Sequence, residues 1–439
     1  MKSPVLFSVA QFFAVNFSVA ALIFAAVCVC KADSAECEPC EPAACDPCGS
    51  VFSKNNKLGI DFYGWAMTGI TVNNHGGKNE YGGNSAYGYN NNPNRGAMTD
   101  GGGNTSILML EQPSDWKLNQ LWVGAKKDLT EKLGVGFRGD FAYGTDMRYS
   151  RNWGDRSFDS SWCSGDYYFS AVQLYGLVGT KKLNVQVGKF AGGFAYEGLA
   201  APKEFFYSHA NICYGRPLVT EGAMVHWNPN EKWSFSGGWT AGVFNSLENP
   251  YDDNGFLGKT TYHFNKKADI TYKIYYNDKG YRSATNVAGI DCYNTLIFTY
   301  KLSDKWFAML EAAVVDSKTY NAAGKVGGDA WGFNSHLIYT VNDKLSIGLR
   351  SEFHHSHNSS FDMPGVTGGQ GGDLYEFTLA ANYKITDKIR FRPELRFDQA
   401  DYDNGFLPFG GHYQNGINGV GGGDSSSQLS GGCSFVIVF

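Results

Sequence analysis

Seven short turns, each carrying lysine, cut this chain into alternating segments of about ten residues, which is the signature of successive hairpins. The turns lie at 128–132, 180–182, 228–232, 265–267, 303–305, 342–344 and 386–388. Asn, Asp and Pro supply their tight geometry, because short polar side chains bond the local backbone and Pro fixes φ. The flanking segments alternate with period 2. Ile389, Phe391, Pro393, Leu395 and Phe397 share one face, and Arg390, Arg392, Glu394, Arg396 and Asp398 share the other. Leu345, Ile347, Leu349 and Phe353 likewise oppose Lys344, Arg350, Glu352 and His354, and Trp233, Phe235 and Trp239 oppose Ser234, Ser236 and Thr240.

Seven turns join fourteen strands, and a first strand near 58–72 and a last near 428–439 bring the total to sixteen. An even number puts both ends of the sheet on one rim. On the other rim the connections are longer and rich in Gly, Asn and Asp; the longest are 73–114, 191–216 and 399–427. These features predict an all-β fold, an antiparallel transmembrane β-barrel of about sixteen strands with short periplasmic turns and long outer loops. Closure is a physical requirement, since an open strand edge in lipid leaves unpaired backbone groups costing several kcal/mol each. Trp116, Trp227, Trp233, Trp306 and Trp331, near strand ends, fit interfacial girdles. A soluble secreted β-protein that binds glycans is the alternative from outside the membrane class.

The composition agrees with a barrel. Beyond the first thirty residues no apolar run reaches the about twenty residues that a membrane helix needs, although aromatics make up 15% of the 439 residues. Charged residues are only 18% and the net charge is -5, which gives no case for nucleic acid. The N-terminal end reads as an export signal, with Lys2 before an apolar stretch from Pro4 to Cys30. Residues 1–32 are expected to be a signal peptide, 33–56 a cysteine- and proline-rich periplasmic extension, and 57–439 the barrel; an uncleaved anchor is the alternative for the first. The last strand ends on Phe439, an aromatic close common among bacterial outer-membrane barrels.

Several stretches resemble one family. They are Gly59-Ile60-Asp61-Phe62-Tyr63-Gly64-Trp65, Asn119-Gln120-Leu121-Trp122, Arg138-Gly139-Asp140-Phe141-Ala142-Tyr143-Gly144-Thr145-Asp146, Val187-Gly188-Lys189-Phe190, Tyr196-Glu197, Phe205-Phe206-Tyr207-Ser208-His209 and Gly237-Gly238-Trp239-Thr240. Together they resemble the putative beta-barrel porin-2 (outer-membrane-protein-L-like) family, in its planctomycete form. The resemblance implies a porin-like barrel in the bacterial outer membrane and no particular substrate. The expected function is passive diffusion of small hydrophilic solutes and ions, without catalysis. The alternative is a structural barrel, plugged by its own loops, that anchors the envelope through its N-terminal segment. Porins are often trimers, so a homotrimer is a possible assembly, with outer-membrane lipid around it.

Two constellations stand out. The first is a set of expected pore-lining charges: Arg138, Asp140, Arg350, Glu352, Arg390, Arg392, Glu394 and Arg396 on strands, with Glu197 and Glu204 in the connection at 191–216. In sixteen-stranded porins the loop at this topological position folds inward. The expectation is therefore a constriction in which loop carboxylates face an arginine strip across water; the alternative is that these charges pair with one another. The second is Cys37, Cys40, Cys45 and Cys48, spaced C-x2-C-x4-C-x2-C. Four thiolates so spaced can hold zinc, but an exported context favours disulfides, whose pairing the sequence does not fix. Cys45-Asp46-Pro47-Cys48 is similar to a stretch in chlamydial major porins, which implies cross-linking to other cysteine-rich envelope proteins. Cys163 and Cys213 fall in neighbouring outer loops and are a further candidate pair, while Cys292 and Cys433 read as ordinary small residues. No cofactor and no metal site is assigned. His354, His355 and His357 lack a catalytic arrangement, and the Asp-Asn-Gly-Phe-Leu repeats at 253–257 and 403–407 read as turns rather than calcium loops.

Overall fold

A computed structural model describes residues 58–75, 109–110, 115–150, 163–164, 167–213, 218–242, 254–277, 287–321, 324–357, 371–402, 407–409 and 425–439. The expected signal segment and the cysteine-rich extension, with Cys37, Cys40, Cys45 and Cys48, lie outside the described residues, as do parts of the outer loops.

The strands are β1 (Asp61–Asn73), β2 (Lys117–Lys127), β3 (Gly134–Gly144), β4 (Cys163–Ser164), β5 (Tyr167–Gly179), β6 (Leu183–Ala191), β7 (Val219–Asn230), β8 (Trp233–Thr240) and β9 (Gly255–Asn265). They continue as β10 (Ala268–Asn277), β11 (Val287–Lys301), β12 (Trp306–Asn321), β13 (Gly324–Asn342), β14 (Leu345–His357), β15 (Gly372–Thr386), β16 (Ile389–Tyr402) and β17 (Ser427–Val438). Each long strand pairs antiparallel with its chain neighbours. The two-residue β4 only folds back on the start of β5, and β3 pairs directly with β5. The wall therefore holds sixteen long strands. Closure is made by β1 against β17, in register from Trp65↔Val438 to Asn73↔Ser430. Phe439 extends the seam: its N–H donates to the Gly64 carbonyl at 2.9 Å, and Gly64 N–H donates to the Phe439 carbonyl at 3.1 Å. Its ring covers Gly64, where a Cβ would meet ring Cζ at 2.9 Å and the Trp122 carbonyl at 2.7 Å.

The turns close as their composition requires. Asn342 Oδ1 accepts from the N–H groups of Lys344 (2.9 Å) and Leu345 (3.0 Å), and Asn230 Oδ1 does the same for Lys232 (2.9 Å) and Trp233 (3.1 Å). Ser303 Oγ serves Lys305 and Trp306 in the same way. These are the side-chain turn mimics that Asn and Ser form.

Alternation sorts the wall as expected. Val123, Val135, Val187, Leu296, Ile347, Leu379, Leu395 and Ile437 are exposed on the outer face. Inner positions carry the buried charged residues, together with large side chains such as Trp65, Trp122, Tyr275 and Tyr293 that form a buried cluster with Phe194 and Tyr207. Trp227, Trp233 and Trp306 stand at the turn end, in ring contact with Phe235 (stacked), Tyr262 and Tyr339 (both tilted). One outer connection departs from the long-loop pattern. β12 and β13 stay paired out to Asn321↔Gly324, so they form an extended hairpin in place of an irregular loop.

Candidate functional site

Inside the barrel lie residues 192–213 of the connection between β6 and β7. Gly193, with φ 55, starts its inward path, a conformation that favours glycine. An irregular segment within a barrel must find partners for its backbone groups, and inward side chains of the wall provide them.

The loop meets these partners in order. On β10, Lys273 Nζ donates to the carbonyls of Gly193 and Ala195, the latter at 2.8 Å. Phe194 packs edge-on against Tyr275 and Tyr293. Glu311 of β12 accepts the Tyr196 N–H at 3.2 Å. Gln120 of β2 donates to the Leu199 carbonyl at 2.8 Å and accepts from the Ala201 N–H at 3.3 Å. Arg392 of β16 donates to the carbonyls of Ala201 (3.3 Å), Glu204 (3.0 Å) and Phe206 (3.1 Å). Arg390 reaches the Pro202 carbonyl, and Asn382 of β15 the Phe205 carbonyl. Glu394 accepts the N–H groups of Tyr207 (2.8 Å) and Ser208 (3.1 Å). Arg396 donates to the His209 carbonyl at 2.7 Å, and Glu352 accepts the N–H groups of Asn211 and Ile212. Carboxylates thus take the loop's donors and guanidinium groups take its acceptors.

Strand register builds the cluster beneath. Glu352, Glu376 and Asp398 are direct neighbours across β14, β15 and β16, and so are Arg350, Thr378 and Arg396 one step along the barrel. Arg350 bonds Glu376 at 3.0 Å and Arg396 bonds Asp398 at 2.7 Å. From the loop, Glu197 joins Arg350 at 2.9 Å, His336 Nε2 at 3.2 Å, His209 Nδ1 at 3.5 Å and the Ala210 N–H at 2.7 Å. The Arg350 guanidinium also lies 4.9 Å from the Phe206 ring centroid.

These contacts shift the loop's acids. Burial alone would raise Glu197, but Arg350, aided by His209 and His336, holds it well below the usual carboxylate range. Glu204 has no such partner. Desolvation, with the nearby Glu197 charge, pushes it up to about 7, and its carboxylate accepts the Gly198 N–H at 2.8 Å. Burial works against a charged His209, yet its bond to Glu197 raises it overall.

The sequence-derived site divides into two groups. Glu197, Glu204, Arg350, Glu352, Arg390, Arg392, Glu394 and Arg396 come together on the loop side. Arg350, Arg392 and Arg396 are only 0%, 1% and 1% exposed, so they hold the loop in direct contact instead of facing it across water. The physical reason is that the loop carries more unpaired carbonyls and N–H groups than it can satisfy itself, and the wall charges saturate them. Glu204 does not meet an arginine side chain; Arg392 reaches its main-chain carbonyl. Arg138 and Asp140 form a separate group on β3, joined at 2.8 Å, with Gln173 donating to Asp140 at 2.6 Å and the Tyr63 hydroxyl also bonded to it. Lys273, Glu311, Gln120, Asn382 and Glu376 were not singled out by the sequence; the signal that finds them is a polar residue at inward parity on its strand.

Cys213 belongs to the in-folded loop and not to an outer rim. It is buried, with Sγ 3.8 Å from Glu197 Oε2; the Cys163 side chain lies outside the described residues. His354 is buried on the inner face, while His355, of opposite parity, bonds Asp373 at 2.7 Å.

A closed sixteen-strand barrel with an apolar exterior, an interior that carries buried charges and one loop held inside defines the porin class of outer-membrane channels. Residues 80–439 match the family described as "Putative beta-barrel porin-2, OmpL-like", and the chain belongs to it. Among solved structures, the anion-selective porin from Comamonas acidovorans is similar over 87% of this chain and 99% of its own, with TM-score 0.54 and 11% identity. The outer membrane channel DcaP of Acinetobacter baumannii gives 0.53 at 9% identity over 88% and 99%. The trimer form of OmpT from Vibrio cholerae gives 0.51 at 12% identity over 87% and 99%. At such identities the likeness is one of fold. No curated protein matches the sequence.

Proposed function

We infer that the protein is a bacterial outer-membrane porin through which small hydrophilic solutes diffuse passively, narrowed by the in-folded segment 192–213. The observation that carries this reading is the loop itself: wall side chains from β2, β10, β12 and β14–β16 hold it within a barrel whose outer face is apolar. We place the solute path along the inner wall from β3 to β9, which supplies none of the loop hydrogen bonds described above. The charges at Glu197, Arg350, Arg392, Arg396 and Glu394 act by fixing this constriction in place. We extend to this chain the trimeric assembly named for the Vibrio cholerae protein, and we retain a disulfide-bonded lead at 33–56 as part of the proposal; Cys213, whose thiol is buried against Glu197, is left out of any pairing.

Liposome swelling with sugars and amino acids of graded size tests the reading. Entry should fall steeply with solute size. Vesicles that do not swell for any solute, together with no conductance in planar bilayers, would instead support a plugged barrel with an anchoring role.

A further inference from the structure

The side of the lumen opposite the loop's hydrogen-bonding partners has its own electrostatic character. His226 (β7), Ser236 (β8), Lys259 (β9) and Lys273 (β10) are successive register partners, so they share one face of the wall. Lys273 is bonded to loop carbonyls, which fixes that face as the inner one. Lys259 therefore points into the barrel, and it is exposed there. Arg138, also inward, keeps 26% of its side chain accessible.

Carboxylates on the same wall are bonded to neighbouring side chains. Asp140 is fully buried and bound by Arg138, Gln173 and Tyr63, and Asp269 is locked to His263 at 2.5 Å beside the 266–267 turn. On the loop, Glu197 is buried in its ion pairs and Glu204 accepts a backbone N–H, whereas Lys203 is exposed. A second observation points the same way: in the seven periplasmic turns nine exposed lysines outnumber six exposed carboxylates (Asp128, Glu131, Glu231, Asp304, Asp343 and Asp387), which leaves these turns net positive. Rings and walls of one sign raise the local concentration of the opposite ion and set the selectivity of a pore.

We propose that the channel prefers small anionic solutes, and that Lys259 on the wall and Lys203 on the loop set that preference. The proposal rests on the porin reading and adds a solute class to it. Both lysines are exposed, so their replacement leaves the buried contacts of the loop intact.

The test is the zero-current potential of the full-length protein in planar bilayers under a potassium chloride gradient. The wild type should favour chloride. The Lys203→Glu/Lys259→Glu variant should lower the chloride-to-potassium permeability ratio by roughly fivefold, as expected for reversing charges beside a permeating ion. Lys259→Gln should give a smaller fall, and serves alone if the double variant does not assemble. The preference should weaken as salt rises from 0.1 to 1 M, where the screening length shrinks from about 10 to about 3 Å. A wild-type channel that favours potassium, or a ratio unmoved by the substitutions, overturns the proposal and leaves the porin reading standing. A chain that conducts nothing overturns both.

Discussion

Among single residues, Arg392 has the clearest mechanical role. Its guanidinium holds three loop carbonyls, and Ser434 Oγ accepts from its Nε at 3.1 Å. Each buried backbone acceptor left unpaired costs about 1–3 kcal/mol. Arg392→Ser should therefore loosen the loop and give a larger, noisier single-channel conductance; an unchanged trace argues against a loop that narrows the pore. Glu204 makes a prediction about pH. Its value in the docked loop, about 7, lies above that of a free carboxyl, so docking is favoured while the group is neutral. That advantage is lost progressively as pH rises from the ordinary carboxylate range through about 7. His209, also raised, acts in the same direction, since its proton stabilises the docked loop. Glu197, lowered, limits docking only in strong acid. Conductance should accordingly climb between pH 5 and 8, in a range scaled to these shifts. Glu204→Gln should flatten the rise, and a wild-type profile that falls over the same range contradicts the assignment.

Among the elements, the in-folded loop seats its aromatics where the wall lacks side chains. Tyr207 lies over Gly69, whose Cβ would stand 2.6 Å from the hydroxyl and 2.7 Å from ring Cζ, and Phe205 covers Gly348 in the same manner. Tyr207 also bonds Asn119 Oδ1 at 3.1 Å. At Gly348 glycine answers to close approach of the Phe205 ring alone, whereas at Gly69 the Cys433 carbonyl, 2.5 Å from the same Cβ position, also leaves no room for a side chain. Gly348→Val overpacks the notch that the Phe205 ring fills, at a cost of about 1–3 kcal/mol. It should lower the temperature at which the loop becomes protease-sensitive, and should leave unfolding of the strands in detergent nearly unchanged. Simultaneous loss of both would show that loop and wall form one cooperative unit.

At the level of the whole molecule, closure removes every exposed strand edge from lipid. The seam between β1 and β17 is continuous over Trp65–Asn73, so the barrel needs no partner to satisfy its backbone. Assembly is then a matter of the apolar outer face, where lipid or another copy of the chain is equally able to cover Val, Leu and Ile. Light scattering of detergent-solubilised protein should give three chains per particle; a monodisperse monomer would remove the trimer from the proposal.

The amino-acid sequence alone determined the wall. Its period-2 alternation, lysine-bearing turns and loop spacing specify strands, their number and the face each side chain takes, because these are local properties of an extended backbone between tight turns. It also marked Glu197, Arg350, Arg392 and Arg396 as belonging to one place, since their parity and loop position are readable along the chain. What those charges do was decided only by the tertiary structure. Whether Arg392 faces water or three carbonyls, whether Glu204 meets a cation or the N–H of Gly198, and whether the wall beside Lys259 lies opposite the loop's partners depend on where the 192–213 segment comes to rest. That resting place is fixed by contacts between residues far apart in sequence, such as Gly69 with Tyr207 and Glu352 with Ile212, and no local pattern encodes them.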